Sequence, residues 1–165
     1  MQIRDAVKRD IAALRTIMNY YRENSSFIWE KKLLTDADVQ EWLEEHNVLP
    51  YAALVAEEDG KVIGFASLSY FRAYSGYCKT AENSIYLYPE LTDRGYGGAL
   101  MCALLMRARE NGLRVITAWI DAENQSSIRF HERFGFRQAG LMQDVGVLDN
   151  EARSVVIMQY MIEMS

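Results

Sequence analysis

The chain has 165 residues, half of them hydrophobic, and a formal net charge of −5 at pH 7. That size and apolar content suit one domain over residues 1–165 whose core needs neither disulfides nor a metal, and the acidic balance argues against a nonspecific nucleic-acid binder. Two cysteines and two histidines without ligand-like spacing give no disulfide framework and no zinc site, and no apolar run approaches the ~20 residues of a membrane-spanning helix.

The opening MQIRDAVKRD lacks the apolar stretch of a signal peptide, so a cytoplasmic protein without a membrane partner is expected. Met1 to Arg4 reads as a short strand, and Asp5 to Tyr21 as a helix with Ile11, Leu14, Ile17 and Met18 at helical spacing. Thr35 caps a second helix whose apolar side carries Val39, Trp42 and Leu43. Ala52 to Glu57 and Val62 to Tyr70 form an antiparallel hairpin around Glu58-Asp59-Gly60. Asn83 to Tyr88 is a further strand, ended by Pro89, which cannot donate to a ladder. A helix from about Gly97 to Asn111 stops at Gly112; a strand covers Arg114 to Ile120; a helix covers Asn124 to Phe134 and closes at Gly135. Val145 to Val147 and Val155 to Met161 are the arms of a last hairpin. The pattern predicts an α/β fold with a mixed, mostly antiparallel sheet flanked by helices.

The most informative segment is Arg94-Gly95-Tyr96-Gly97-Gly98-Ala99, where a strand has ended, glycines cluster and a helix begins. Glycine allows positive φ and close approach of a ligand. The first N–H groups of a helix lack internal partners and, with the helix dipole, form an anion site suited to a pyrophosphate. Arg94 can add a charge-assisted contact. The Gly-Lys-Ser/Thr ending of a P-loop is absent, and the glycine spacing and antiparallel context do not fit a dinucleotide fingerprint. An acyl-CoA loop remains, with Gln/Arg-x-x-Gly-x-Gly/Ala met by Arg94, Gly97 and Ala99. The plain alternative is an ordinary glycine-rich β–α turn.

A second signal is the run from Asn124 to Phe136, NQSSIRFHERFGF. Asn124 suits an N-cap, and His131, seven residues on, shares its face, with Ser127 and Ile128 between. Such a polar line can contact one extended ligand. Alternatively, Asn124 only caps the helix and His131 is a satisfied core or surface histidine. Phe130 and Phe134 are expected to point away into the core. Cys78 and Cys102, having no base partner, are read as structural.

With these motifs in view, the chain resembles the Gcn5-related N-acetyltransferase (GNAT) superfamily along nearly its whole length. It looks closest to the phosphinothricin and methionine sulfone N-acetyltransferase branch. The closer likeness rests on YRENSSF (21–27), ENSIYLYP (82–89) and SIRFHERFGF (127–136). It implies the GNAT acyl-CoA N-acyltransferase fold, acetyl-CoA as co-substrate without a metal, a small-molecule amine acceptor, and a homodimer. By position, the resemblance has Ile85, Tyr86 and Leu87 meet the pantetheine arm through the backbone. Asp93, Arg94, Gly95, Tyr96, Gly97 and Gly98 wrap the pyrophosphate, with Ala99 closing the same cofactor-binding turn, and Asn124 binds the cofactor beyond the thioester, with Ser127 a weaker candidate. Glu82 matches a proposed general base, and Phe27, Arg72 and Tyr77 fall where an amino-acid acceptor binds. The chain departs from the branch in its last hairpin, where Gly146-Val-Leu148 and Ala152-Arg-Ser154 replace a basic residue and a Trp-x-Asp.

Acetyl transfer to an amine needs the neutral amine, so a base must take a proton. Glu82 is the candidate; its alternative is a solvated strand-end carboxylate. A backbone N–H between Tyr86 and Tyr88 is a candidate oxyanion donor; His131 or a nearby tyrosine is a candidate acid for the departing thiolate, and unassisted departure is the alternative. Two other functions stay open: peptide or protein N-terminal acetylation, and a non-catalytic acyl-CoA-binding regulatory domain.

Overall fold

A computed structural model describes residues 1–92 and 94–163. Its elements follow the expected order: β1 (Gln2–Asp5), α1 (Ile11–Asn24), α2 (Asp36–His46), β2 (Ala52–Glu58), β3 (Lys61–Tyr70), β4 (Thr80–Leu87), α3 (Tyr96–Glu110), β5 (Val115–Asp121), α4 (Gln125–Arg133), β6 (Arg137–Leu148) and β7 (Glu151–Met161). The seven strands lie in the order β1-β2-β3-β4-β5-β7-β6, and only β4 with β5 is parallel.

Strand periodicity divides the core into two layers. On β2 and β3, Ala53, Val55 and Phe65 pack with Ile11, Leu14 and Ile17 of α1 and with Val39 and Leu43 of α2. The alternate residues Leu54, Ala56, Ala66 and Leu68 pack with Leu100, Met101, Leu104 and Ala108 of α3 and Ile128 of α4. The Thr35 cap is present: its hydroxyl accepts from the Asp38 N–H at 3.2 Å, and Asp38 accepts from the Thr35 N–H at 2.7 Å.

Two boundaries differ most from the sequence reading. The stretch before α1 forms a 3-10 turn at Lys8–Asp10, because Asp10 turns back to accept from the Val7 N–H and from Arg4. The last hairpin is much longer than expected. β6 is an edge strand exposed on both faces for most of its length and is interrupted by two bulges, so its mixed polar and apolar sequence carries no alternation. Asp149 and Asn150 supply the two positive φ angles of its tight turn. Both cysteines are exposed, contrary to a structural reading: Cys102 lies on the outer face of α3.

Candidate active site

The site begins where β4 and β5 part. They pair only through Thr80–Val115, Ala81–Ile116 and Glu82–Thr117. β4 then continues beside β3 to Leu87, and β5 beside β7 to Asp121. The resulting fork opens a cleft of about 860 Å³. Bonding in an antiparallel pair alternates along the strand. The Tyr88 N–H donates to the Ile63 carbonyl at 3.0 Å. By that alternation Tyr86, Ser84 and Glu82 turn their backbone groups to β3, whereas Leu87, Ile85 and Asn83 turn theirs to the fork. Ile85 and Leu87 thus present a strand edge that an extended amide-bearing chain can pair with. Tyr86 contributes its ring to the cleft, not its N–H, and Tyr88 is excluded as an oxyanion donor.

At one end of the cleft lies the glycine turn. Gly95 has φ +84°, which favours glycine, and precedes the first turn of α3. The first bond within the helix is from the Ala99 N–H to the Gly95 carbonyl, and no side chain caps the turn among the described residues. The free N–H groups before Ala99 therefore form a binding end for phosphate oxygens. Gly97 and Gly98 line the cleft, and Cβ atoms there would stand 3.6 and 3.3 Å from Phe130 and Phe134. Arg94, the residue before Gly95, is exposed and does not line the cleft wall. Tyr96 points elsewhere, its hydroxyl donating to Glu58 Oε2 at 2.8 Å. Asp93 lies outside the described residues. Phe130 and Phe134 do not point away into the core: they form the cleft wall under α3 while packing on the core behind it.

Helix α4 supplies the next wall. Asn124 caps it, accepting from the Ser127 N–H at 3.1 Å, and both residues also line the cleft. His131 is buried. Its Nδ1 lies 2.8 Å from the Ser127 carbonyl, which can only accept, so Nδ1 carries the proton. Its Nε2 then accepts from Asn83 Nδ2 at 3.1 Å. Burial lowers the His131 pKa, with the Ser127 bond opposing. A neutral imidazole with both nitrogens engaged has no proton to offer the cleft. Asn83, given no role in the sequence reading, is held by this bond and leaves its Oδ1 buried without a partner among the described residues.

The other face of the fork carries Glu82, half-buried beside the last β4–β5 pair. It accepts no hydrogen bond from a described residue. Burial raises its pKa, and the nearby Arg72 charge opposes that rise. Tyr21 crosses from α1 to donate to the Leu87 carbonyl at 2.9 Å. Phe27 and Ile28 line the cleft from the loop after α1. Trp29 anchors that loop: its Nε1 donates to Asp121 at 2.8 Å, and its ring fills the space over Gly146. Asp121 also takes the Nε of buried Arg153 at 2.9 Å. Arg153 thus supports the loop through Asp121. Arg72 is exposed and lies over the Trp119 ring, which lines the cleft. Tyr77 is exposed and packs on Phe71 and Tyr74, away from the cleft wall.

The cleft therefore joins an anion-binding helix end, an unpaired strand edge and a half-buried carboxylate. Among the described residues no cluster of three or more His, Cys, Asp or Glu could hold a metal, and no helix is long and apolar enough to cross a membrane. The acetyltransferase (GNAT) family profile matches residues 14–136. An L-methionine sulfoximine/L-methionine sulfone acetyltransferase of Salmonella typhimurium is 34% identical over 163 residues, covering 99% of this chain and 95% of that protein. The crystal structure of a GNAT superfamily phosphinothricin acetyltransferase from Sinorhizobium meliloti in complex with acetyl-CoA has a TM-score of 0.92 and 31% identity, covering 98% of this chain and 88% of that one. A ribosomal-protein-alanine N-acetyltransferase structure from Brucella melitensis has a TM-score of 0.95 and 33% identity, covering 98% of this chain and 100% of that one. The chain belongs to the GNAT acetyltransferase family and is an N-acetyltransferase.

Proposed function

We propose that this enzyme moves the acetyl group of acetyl-CoA to the primary amine of a small amino acid of the methionine sulfone, methionine sulfoximine or phosphinothricin type, by direct attack in a ternary complex. The observation that carries the reading is the position of Glu82: an unbonded carboxylate of raised pKa at the point where the strands fork. The phosphates lie on the first turn of α3, and the pantetheine arm pairs with Ile85 and Leu87 along the free edge of β4. Glu82 takes a proton from the acceptor's ammonium, directly or through one water, and the neutral amine attacks the thioester carbonyl. The Leu87 N–H, turned to the fork, is the donor for the oxyanion. The C–S bond then breaks, the nitrogen gives up its second proton to the departing sulfur as the amide forms, and CoA leaves as the thiol; His131 holds Asn83. Arg72 provides a cation for the acceptor's acidic group.

The likeness to a ribosomal-protein-alanine acetyltransferase gives a peptide amino terminus as the second reading. CoA thiol release separates the two when methionine sulfone, methionine sulfoximine and phosphinothricin are compared with an alanine-started peptide and a polyamine. Turnover of the amino acids at least tenfold above the peptide is expected. Turnover of the peptide alone, or of no amine despite cofactor binding, contradicts the proposal.

A further inference from the structure

Trp119 has an unexplained hydrogen-bond donor. Its Nε1 is buried and has no partner among the described residues. A buried indole N–H ordinarily finds one. The ring lines the cleft and carries the Arg72 guanidinium over it, 5.1 Å from the ring centroid. Arg72 is exposed and in ion pair with no carboxylate among the described residues; a second ring, Phe71, lies 5.1 Å from its guanidinium. A cation between two rings and an idle N–H beside it make an incomplete set of donors for one oxyanion.

The register fixes where that set lies relative to the base. Glu82 pairs with Thr117, so the two side chains leave the sheet on the same face. Trp119, two residues further along β5, leaves on that face too. The offset is one strand spacing across and about 6.6 Å along. That span suits a compact molecule with its amine at Glu82 and an acid group at Trp119.

We propose that Trp119 determines acceptor specificity by donating its indole N–H to the acceptor's α-carboxylate, which Arg72 pairs with as it swings off the ring. The inference rests on the amino-acid reading above and adds to it the group that selects a free carboxylate over a plain amine. Apolar contacts alone discriminate weakly, whereas a site built to bond a polar group rejects the analogue that lacks it.

Binding to the CoA-saturated enzyme is measured by calorimetry for methionine sulfone and for its decarboxylated amine, 3-(methylsulfonyl)propylamine. Trp119→Phe keeps the ring under Arg72 and removes only the N–H. The expected result is a dissociation constant for the amino acid raised about tenfold, as for loss of a hydrogen bond to a charged group, with the amine's unchanged. In the unaltered enzyme, the Trp119 indole N–H resonance should move downfield with the amino acid and stay in place with the amine, a readout independent of whether the variant folds. Equal effects on both ligands, an unmoved resonance, or no binding of the amino acid overturns the inference. Normal turnover of methionine sulfone with equal effects on both ligands sinks this inference and leaves the function standing. Carboxylate-selective binding without turnover does the reverse.

Discussion

His131 shows how a residue can be found by its spacing while its task is set by partners elsewhere in the fold. Its place on the face of Asn124 was readable, because helical periodicity is local. Its chemistry was not, since the tautomer is set by the Ser127 carbonyl and by Asn83, a residue on another element. His131→Ala should leave the shape of the pH–rate profile unchanged while lowering stability by about 1–3 kcal/mol, the cost of stranding Asn83 in the interior. Stopped-flow CoA release and denaturant unfolding measure the two effects. A lost alkaline limb with unchanged stability would restore the acid role. Trp119 and Asn83 escaped the sequence reading for a related reason: an unpartnered atom is defined only by what the fold places around it.

Among the elements, the glycine turn and the two helix caps were legible because a few adjacent residues determine them. Gly95 at φ +84° and Asn124 at its cap do what their types favour. The fork was not legible, since it arises from pairing partners 35 residues apart in sequence, Glu82 and Thr117. Nor was the role of Gly146, whose reason is an aromatic ring from a distant loop. A Cβ at Gly146 would stand 2.3 Å from the Trp29 ring. Gly146→Ala should therefore displace Trp29 and loosen the loop that carries Phe27 and Ile28. The expected outcome is a several-fold higher KM for the acceptor, an unchanged KM for acetyl-CoA, and a stability loss of about 1–3 kcal/mol from overpacking. Equal changes in both KM values would show that the loop does not belong to the acceptor end.

At the scale of the whole molecule, the sheet leaves β6 as an edge whose apolar Leu141, Met142, Val145 and Val147 are exposed. An edge of that kind is normally covered, and a homodimer is the proposed cover. Sedimentation should find a dimer that Val147→Lys shifts toward monomer; a monomeric parent protein would contradict it. Acid sensitivity is also a property of the whole. Burial lowers the pKa of both His46 and His131, so each is neutral when folded. The unfolded chain takes up those protons at about pH 6.5. This contribution to stability is complete above that pH and is lost as the pH falls toward the folded values. The urea midpoint should drop between pH 7 and pH 5, and by less in His46→Gln. No difference between the two proteins would remove His46 from the account.

The central claim is that Glu82, at the fork, is the base for acetyl transfer to an amino acid. The measurement that tests it most directly is the pH dependence of kcat/KM for methionine sulfone in the parent enzyme and in Glu82→Gln. General-base loss predicts a rate lower by about 10²-fold or more. The limb set by the carboxyl, displaced above the ordinary glutamate range by burial, should be absent from the variant. Near-parent rates with the same profile in Glu82→Gln would contradict the account and leave Glu82 a solvated carboxylate at the end of a strand pair.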